Sequence, residues 1–148
     1  MDHDYVVIDL DGTLWETTLE IDKNAVTDWT PYYEDQSHIE VCSPMMTIVR
    51  GFAREGAAIV YLTFRPEAFR NHTEELLSDF NAPVGLLFMQ PDDNTLSDEE
   101  WKVNCFNDRI KPMMCGYDPL VVFDDKGSNV DAFRAIGLRV FQVAGDYK

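Results

Sequence analysis

Five short apolar runs punctuate the chain: Tyr5-Val6-Val7-Ile8, Ala58-Ile59-Val60-Tyr61-Leu62, Leu86-Leu87-Phe88-Met89, Leu120-Val121-Val122-Phe123 and Leu138-Arg139-Val140-Phe141. Continuous apolar runs rich in β-branched residues read as strands covered on both faces, as in parallel sheets. Helical patterns fill the gaps. Ser43-Pro44 reads as N-cap and first helical residue, with Met46, Val49, Phe52 and Ala53 as an apolar stripe and Gly56 near the end. Pro66 opens a second predicted helix whose inner face is Phe69, Thr73, Leu76, Leu77 and Phe80. Ser97-Asp98-Glu99-Glu100 has the form of a capping box for a third, turning Trp101, Cys105 and Phe106 inward. A fourth starts at Ser128-Asn129-Val130-Asp131 and stops at Gly137.

Strands alternating with helices predict an α/β domain with a central five-stranded parallel sheet and helices on both faces. Residues 15–42 do not follow the pattern: they are polar and aromatic, with Trp15, Trp29, Tyr32 and Tyr33. They are expected to form a flap or small cap inserted after the first strand of one domain spanning 1–148.

Composition narrows the function. The 148 residues hold 27 acidic and 12 basic side chains, a net charge of −15. A surface this negative repels polyanions at long range, which disfavours stable duplex DNA binding and anionic membranes. Carboxylates do recruit hard cations. No apolar run approaches the roughly 18 residues of a membrane span. Met1-Asp2-His3-Asp4-Tyr5 lacks a basic stretch and a small-residue cleavage site, so no secretory leader and a cytoplasmic location are expected. Cys42, Cys105 and Cys115 form no close pair and are expected to be reduced, buried thiols. His3, His38 and His72 lack metal-ligand spacing and are expected at the surface.

In an open α/β sheet, ligands bind beyond the carboxyl ends of the strands. Asp9-Leu10-Asp11-Gly12-Thr13-Leu14 follows the first run, Thr63-Phe64-Arg65 the second and Asp124-Asp125 the fourth; Lys102 lies in the third helix. Four acids, one hydroxyl and two cations are thereby expected at one edge. Asp9 to Leu14 matches the DxDGT[LV] signature of the haloacid dehalogenase-like (HAD) superfamily, and Thr63, Lys102 and Asp124-Asp125 fall in the order of its remaining motifs. The resemblance covers roughly residues 5 to 145 and implies a Rossmann-like HAD fold. Phe123-Asp124-Asp125, Ile136-Gly137, Gln142-Val143-Ala144 and Leu87-Phe88-Met89-Gln90 also resemble the phosphatase domain of bacteriophage polynucleotide kinase/3′-phosphatase; a GxxxxGK[ST] kinase loop is absent from the sequence.

The chemistry of such a site follows from charge. An anionic nucleophile approaches a phosphomonoester dianion only when a cation offsets the repulsion. Asp9 is the expected nucleophile and Asp11 the general acid and base, roles that the family assigns to the matching positions. Mg²⁺ is the expected cofactor, bound by the Asp9 carboxylate, the Asp11 backbone carbonyl and Asp125, with Asp124 acting through water. Thr63 either donates to a phosphoryl oxygen or caps the following helix. Lys102 either pairs with the nucleophile and phosphoryl group or with Asp98, and Lys111 is its rival. Arg65 either clamps a substrate phosphate or pairs with Glu67. Phe64 replaces the family's usual small residue and either narrows the pocket or stacks on a base; Lys126 stands where the phage enzyme has Arg. The implied substrate is a polynucleotide 3′-phosphate end or a nucleotide. A nucleotide or sugar phosphate handled as a small molecule, and a non-catalytic phospho-binding protein, are the alternatives.

Overall fold

The computed structural model describes residues 4–22 and 24–144. Seven strands and six α-helices follow one another as β1 (Tyr5–Ile8), β2 (Trp15–Thr17), α1 (Thr30–Glu34), β3 (Ile39–Val41), α2 (Ser43–Arg54), β4 (Ala58–Pro66), α3 (Arg70–Asp79), β5 (Leu86–Gln90), α4 (Asp98–Cys105), α5 (Lys111–Met113), β6 (Val121–Asp124), α6 (Gly127–Ala135) and β7 (Val140–Gln142). The central sheet has the order β5-β4-β1-β6-β7, with every pair parallel.

Alternation along the inner strands builds two cores. Tyr5 and Val7 face one side, with Val60, Leu62 and Val122, and are covered by Trp101, Cys105, Phe106 and Phe133 of α4, its continuation and α6. Val6 and Ile8 face the other, with Ile59, Tyr61 and Phe123, under Met45, Met46 and Val49 of α2, Leu76 of α3, and Trp15. Burying side chains of this size is worth roughly 1.5–3 kcal/mol each. All four residues of β1 are buried, which accounts for the unbroken apolar run that marks it in the sequence.

The register sets up the site. Ile8 pairs with both Tyr61 and Phe123. Asp9 and Asp124 therefore leave the sheet at the same level, and the Asp9 amide donates to Phe123 O at 3.0 Å. The inserted segment is a small antiparallel hairpin, β2 with β3, carrying α1 between its strands.

Several expected boundaries move. Pro66 ends β4, and a 3₁₀ turn over Glu67–Phe69 precedes α3. Cys42, not Ser43, is the cap residue of α2. Lys126 caps α6, which begins at Gly127. A π-helical turn, Phe106–Ile110, and then α5 extend α4 where no helix was expected. Cys105 is buried as expected, but Cys42 is half-buried and Cys115 exposed, with a left-handed φ of 57°. His38 is buried, contrary to the surface position expected, and His72 is half-buried; His3 lies outside the described residues. No helix among the described residues is long and apolar enough to cross a membrane.

Candidate active site

Asp9 projects from the end of β1 into a nearly closed cluster. Lys102 reaches it from α4, on the opposite side of the sheet edge from the hairpin. Its Nζ lies 2.8 Å from Asp9 Oδ1, 2.9 Å from Asp124 Oδ2 and 3.6 Å from Asp98 Oδ1. The Asp98 partner and the Asp9 partner, set against each other as alternatives in the sequence, are held by the same ammonium. Lys111 is not a competitor: it pairs with Asp118 at 3.2 Å on the surface. Burial opposes the charge of Lys102, but Asp124, Asp9 and Asp98 more than reverse this and hold its pKa well above the ordinary value.

The acids crowd one another. One oxygen each from Asp9, Asp124 and Asp125 lies within 4.8 Å of the others. Burial, then repulsion from Asp124, raises the Asp9 carboxyl well above its usual range even with Lys102 beside it. Burial and Asp124 likewise raise Asp125. Three hard oxygen donors that repel each other suit a hard divalent cation, which would relieve the repulsion. Their other partners differ. Asp124 is engaged by Lys102, by the Lys126 amide at 3.0 Å and by Asn129 Nδ2 at 3.2 and 3.3 Å. Asp125 accepts from Thr13 Oγ1 at 3.3 Å, and that hydroxyl also lies 3.0 Å from Asp9 Oδ2. Asp125 thus keeps more oxygen capacity for a cation than Asp124 does.

Asp11 does not join this cluster. Its carboxylate turns to Arg65, with Nε 2.8 Å from Oδ2 and Nη2 2.9 Å from Oδ1. Trp15 Nε1 at 2.9 Å and the Tyr32 hydroxyl at 3.2 Å also donate to Oδ1. Burial alone would raise this carboxyl; Arg65, Trp15 and Tyr32 outweigh it and hold it below its ordinary value. Of the two partners expected of Arg65, Glu67 is not the one it takes. Glu67 pairs with Arg70 instead, and the Arg65 guanidinium is buried among the rings of Trp15, Tyr32 and Tyr33 at 5.4, 6.0 and 5.0 Å.

A bulge puts Arg65 there. Thr63 pairs with Met89 and Pro66 with Gln90, so two residues of β4 are extruded between consecutive partners. Bulges bend a strand and re-aim its side chains. Thr63 Oγ1 accepts from the Arg65 amide at 3.1 Å, and Gln90 Nε2 donates to Phe64 O. Phe64 is half-buried, packing toward Trp101 at a centroid distance of 6.2 Å.

Sequence reasoning does not single out Thr13 or Asn129 as parts of the site, names Asp98 only as a competing partner of Lys102, and names Trp15 and Tyr32 only as aromatic residues of the insertion, without their bonds to Asp11. A capping acid, a mid-helix Asn and aromatic residues of an irregular insertion carry no chemical signature alone. Thr13 lies inside the Asp9–Leu14 motif, and its hydroxyl is the one signal the sequence offers.

The sequence matches the family described as "Polynucleotide kinase PNKP phosphatase domain" over residues 3–147. No curated protein matches the chain. A chain in the "Structure of the Pnkp1/Rnl/Hen1 RNA repair complex" aligns with a TM-score of 0.80 and 26% identity, over 97% of this chain and 43% of that one. A chain in the "Structure of Pnkp1/Rnl/Hen1 complex" shares the fold at a TM-score of 0.77 and 23% identity, over 95% and 45%. This chain spans less than half the length of either. It belongs to the family of polynucleotide kinase PNKP phosphatase domains and is a HAD-type phosphatase domain.

Proposed function

We propose that the domain is a Mg²⁺-dependent phosphomonoesterase that works through an aspartyl-phosphate on Asp9 and acts on a polynucleotide 3′-phosphate end or a nucleotide. The observation that carries this reading is the pairing of a buried, cation-held carboxylate, Asp9, with a second carboxylate, Asp11, two residues on and in a different electrostatic setting. Two carboxyls whose surroundings push them in opposite directions suit nucleophile and acid/base roles.

Asp9, Asp125 and the Asp11 carbonyl are the residues that would hold Mg²⁺, with Asp124 behind them. A cation held there would supply positive charge that offsets the repulsion between Asp9 and the phosphoryl group. An Asp9 oxygen bonds to phosphorus as the bond to the ester oxygen breaks. Lys102 offsets charge on Asp9 and the transferring group. Asp11 gives its proton to the leaving oxygen, then accepts one from the water that cleaves the acyl-phosphate. Arg65 holds Asp11 ionised in the free protein. An arriving phosphoryl dianion makes that second anion costlier, and so favours protonated Asp11 in the complex. Thr63, Phe64 and Arg65 of the bulge are the residues proposed to line the phosphoryl and substrate side.

The family supports a nucleic-acid end, and the likeness to an RNA repair complex supports RNA among the substrates and protein partners for this domain. A net charge of −15 favours recognition of the terminal nucleotide over a long phosphate track. Half-buried Trp29, Tyr32 and Tyr33 beside Asp11 favour a second reading, a small nucleotide bound under the hairpin. A Mg²⁺-supplemented screen of 3′-phosphorylated oligonucleotides, 3′- and 5′-mononucleotides and sugar phosphates decides between them. The first class should give the highest kcat/KM, changing little beyond a few nucleotides of length. Preference for free nucleotides would favour the second reading, and release of phosphate from none would overturn both.

A further inference from the structure

Asp11 has two chemically unequal oxygens. Oδ1 accepts from Trp15 Nε1, Tyr32 Oη and Arg65 Nη2, whereas Oδ2 accepts from Arg65 Nε. A carboxylate oxygen offers about two lone pairs, so three donors fill Oδ1 and one leaves room on Oδ2. Trp15, at the root of the inserted hairpin, and Arg65 of β4 are buried. Tyr32 is half-buried and comes from α1, at the far end of that hairpin.

The hairpin is built so that Tyr32 arrives in register. His38 is the fixture. Its Nε2 lies 2.9 Å from Tyr32 O, its Nδ1 2.7 Å from Thr17 Oγ1, and its ring 4.7 Å from the Tyr32 ring. The Thr18 amide donates to His38 O at 2.7 Å. Trp29 and Tyr33 then pack edge-on against Tyr32 at 5.4 and 5.3 Å. One ring nitrogen of this buried histidine holds the Tyr32 carbonyl, and the other ties the ring to Thr17 of β2.

We propose that Tyr32, set by His38, is a positioning residue of the inserted hairpin that holds Oδ1 of Asp11, so that Oδ2 is the oxygen exchanging the proton with the leaving group. This rests on the acid/base reading of Asp11. When the phosphorus–oxygen bond breaks, the proton on Oδ2 passes to the departing alkoxide and the electron pair of the O–H bond stays on Asp11. Without the Tyr32 hydroxyl, Oδ1 is held by Trp15 and Arg65 alone, the carboxyl is less tightly fixed, and the proton is presented less often along that path. The loss falls on esters whose leaving oxygen needs the proton, not on activated esters.

The test is kcat/KM of Tyr32→Phe with Mg²⁺ on a 3′-phosphorylated dinucleotide and on p-nitrophenyl phosphate. The ratio kcat/KM reports steps through leaving-group departure, so later hydrolysis of the intermediate does not mask the effect. Phe keeps the ring and its packing. The expected result is a fall of about tenfold on the nucleotide ester and under about twofold on the activated ester, a fraction of what a complete general acid supplies. Adding Tyr32→Phe to Asp11→Asn should cost no more than about twofold further, because the two act as one unit. Equal losses on both esters, or an additive double variant, would mean a structural role only and overturn the proposal. If Asp11→Asn itself shows selective loss while Tyr32→Phe shows none, the positioning role fails and the acid/base reading stands. If Asp11→Asn loses equally on both esters, that reading fails and takes this one with it.

Discussion

Gly12 shows how closely the loop after β1 is fitted. Its φ is 80°, and a Cβ there would lie 2.2 Å from Asp125 Oδ2. Glycine is the residue that permits both the left-handed turn and the approach of the β6 carboxylate. Gly12→Ala should cost about 1–3 kcal/mol in backbone strain, read by urea denaturation. It should also abolish most of the thermal shift given by Mg²⁺, because Asp125 must move. A variant that melts lower but keeps the full Mg²⁺ shift would remove Asp125 from the cation site. Of the residues around this loop, the sequence alone points to Asp9, Asp11, Asp124 and Asp125, since carboxylates after apolar strands are conspicuous. It does not show that Thr13 bridges Asp9 and Asp125, because a threonine in a tight turn is ordinary turn chemistry.

Helix α4 carries Lys102 from one layer to the centre of the site. Its start is fixed by Ser97, whose Oγ accepts from the Glu100 amide at 3.3 Å, and three acids occupy its first turn. Ser97→Ala should cost about 0.5–2 kcal/mol, and a looser first turn should lower kcat on any phosphomonoester by letting Lys102 and Asp98 drift. Unchanged kcat with the expected destabilisation would show that packing of Trp101 and Cys105 alone holds Lys102. The capping box of this helix and the buried strands were plain in the sequence, since both depend on local pattern. The β4 bulge was not. Thr63-Phe64-Arg65-Pro66 reads locally as a strand end and helix start, and only pairing with β5 reveals the two extruded residues. Of the two alternatives for Arg65, the Glu67 pairing suggested by sequence proximity does not form, because the bulge sends the guanidinium to Asp11. His38 was misread for a similar reason, because its two partners are supplied by the folded hairpin.

Charge over the whole molecule makes stability depend on pH and on cations. Asp9 and Asp125 have folded pKa values above the 3.8 of an ordinary aspartate, so the folded state binds their protons more tightly. Stability from these groups rises as pH falls through their folded values toward about 3.8. Asp11 is opposite in sign: its value is lowered, so its contribution is present above 3.8 and is lost as pH falls through the folded value. The metal-free protein should therefore melt higher at about pH 5 than at about pH 8, then lose stability below about pH 4. Saturating Mg²⁺ should raise the Tm most at the alkaline end and flatten the profile. A hundredfold excess over Kd corresponds to about 2.7 kcal/mol. A flat metal-free profile, or one that Mg²⁺ leaves unchanged, would contradict the crowded-carboxylate picture. The five parallel strands are readable from the runs because each central strand is covered on both faces; their order is not. Which acids face each other, and which cations hold them, depended on the register of β1, β4 and β6.

The nucleophile is the most direct point of attack on the whole account. Asp9→Asn keeps the shape of the side chain and removes its anion. Its hydrolysis of a 3′-phosphorylated oligonucleotide with saturating Mg²⁺, measured beside wild type and with both proteins shown folded by their melting curves, should fall to background. Turnover by Asp9→Asn close to the wild-type rate would contradict the covalent mechanism and the place of Asp9 at its centre.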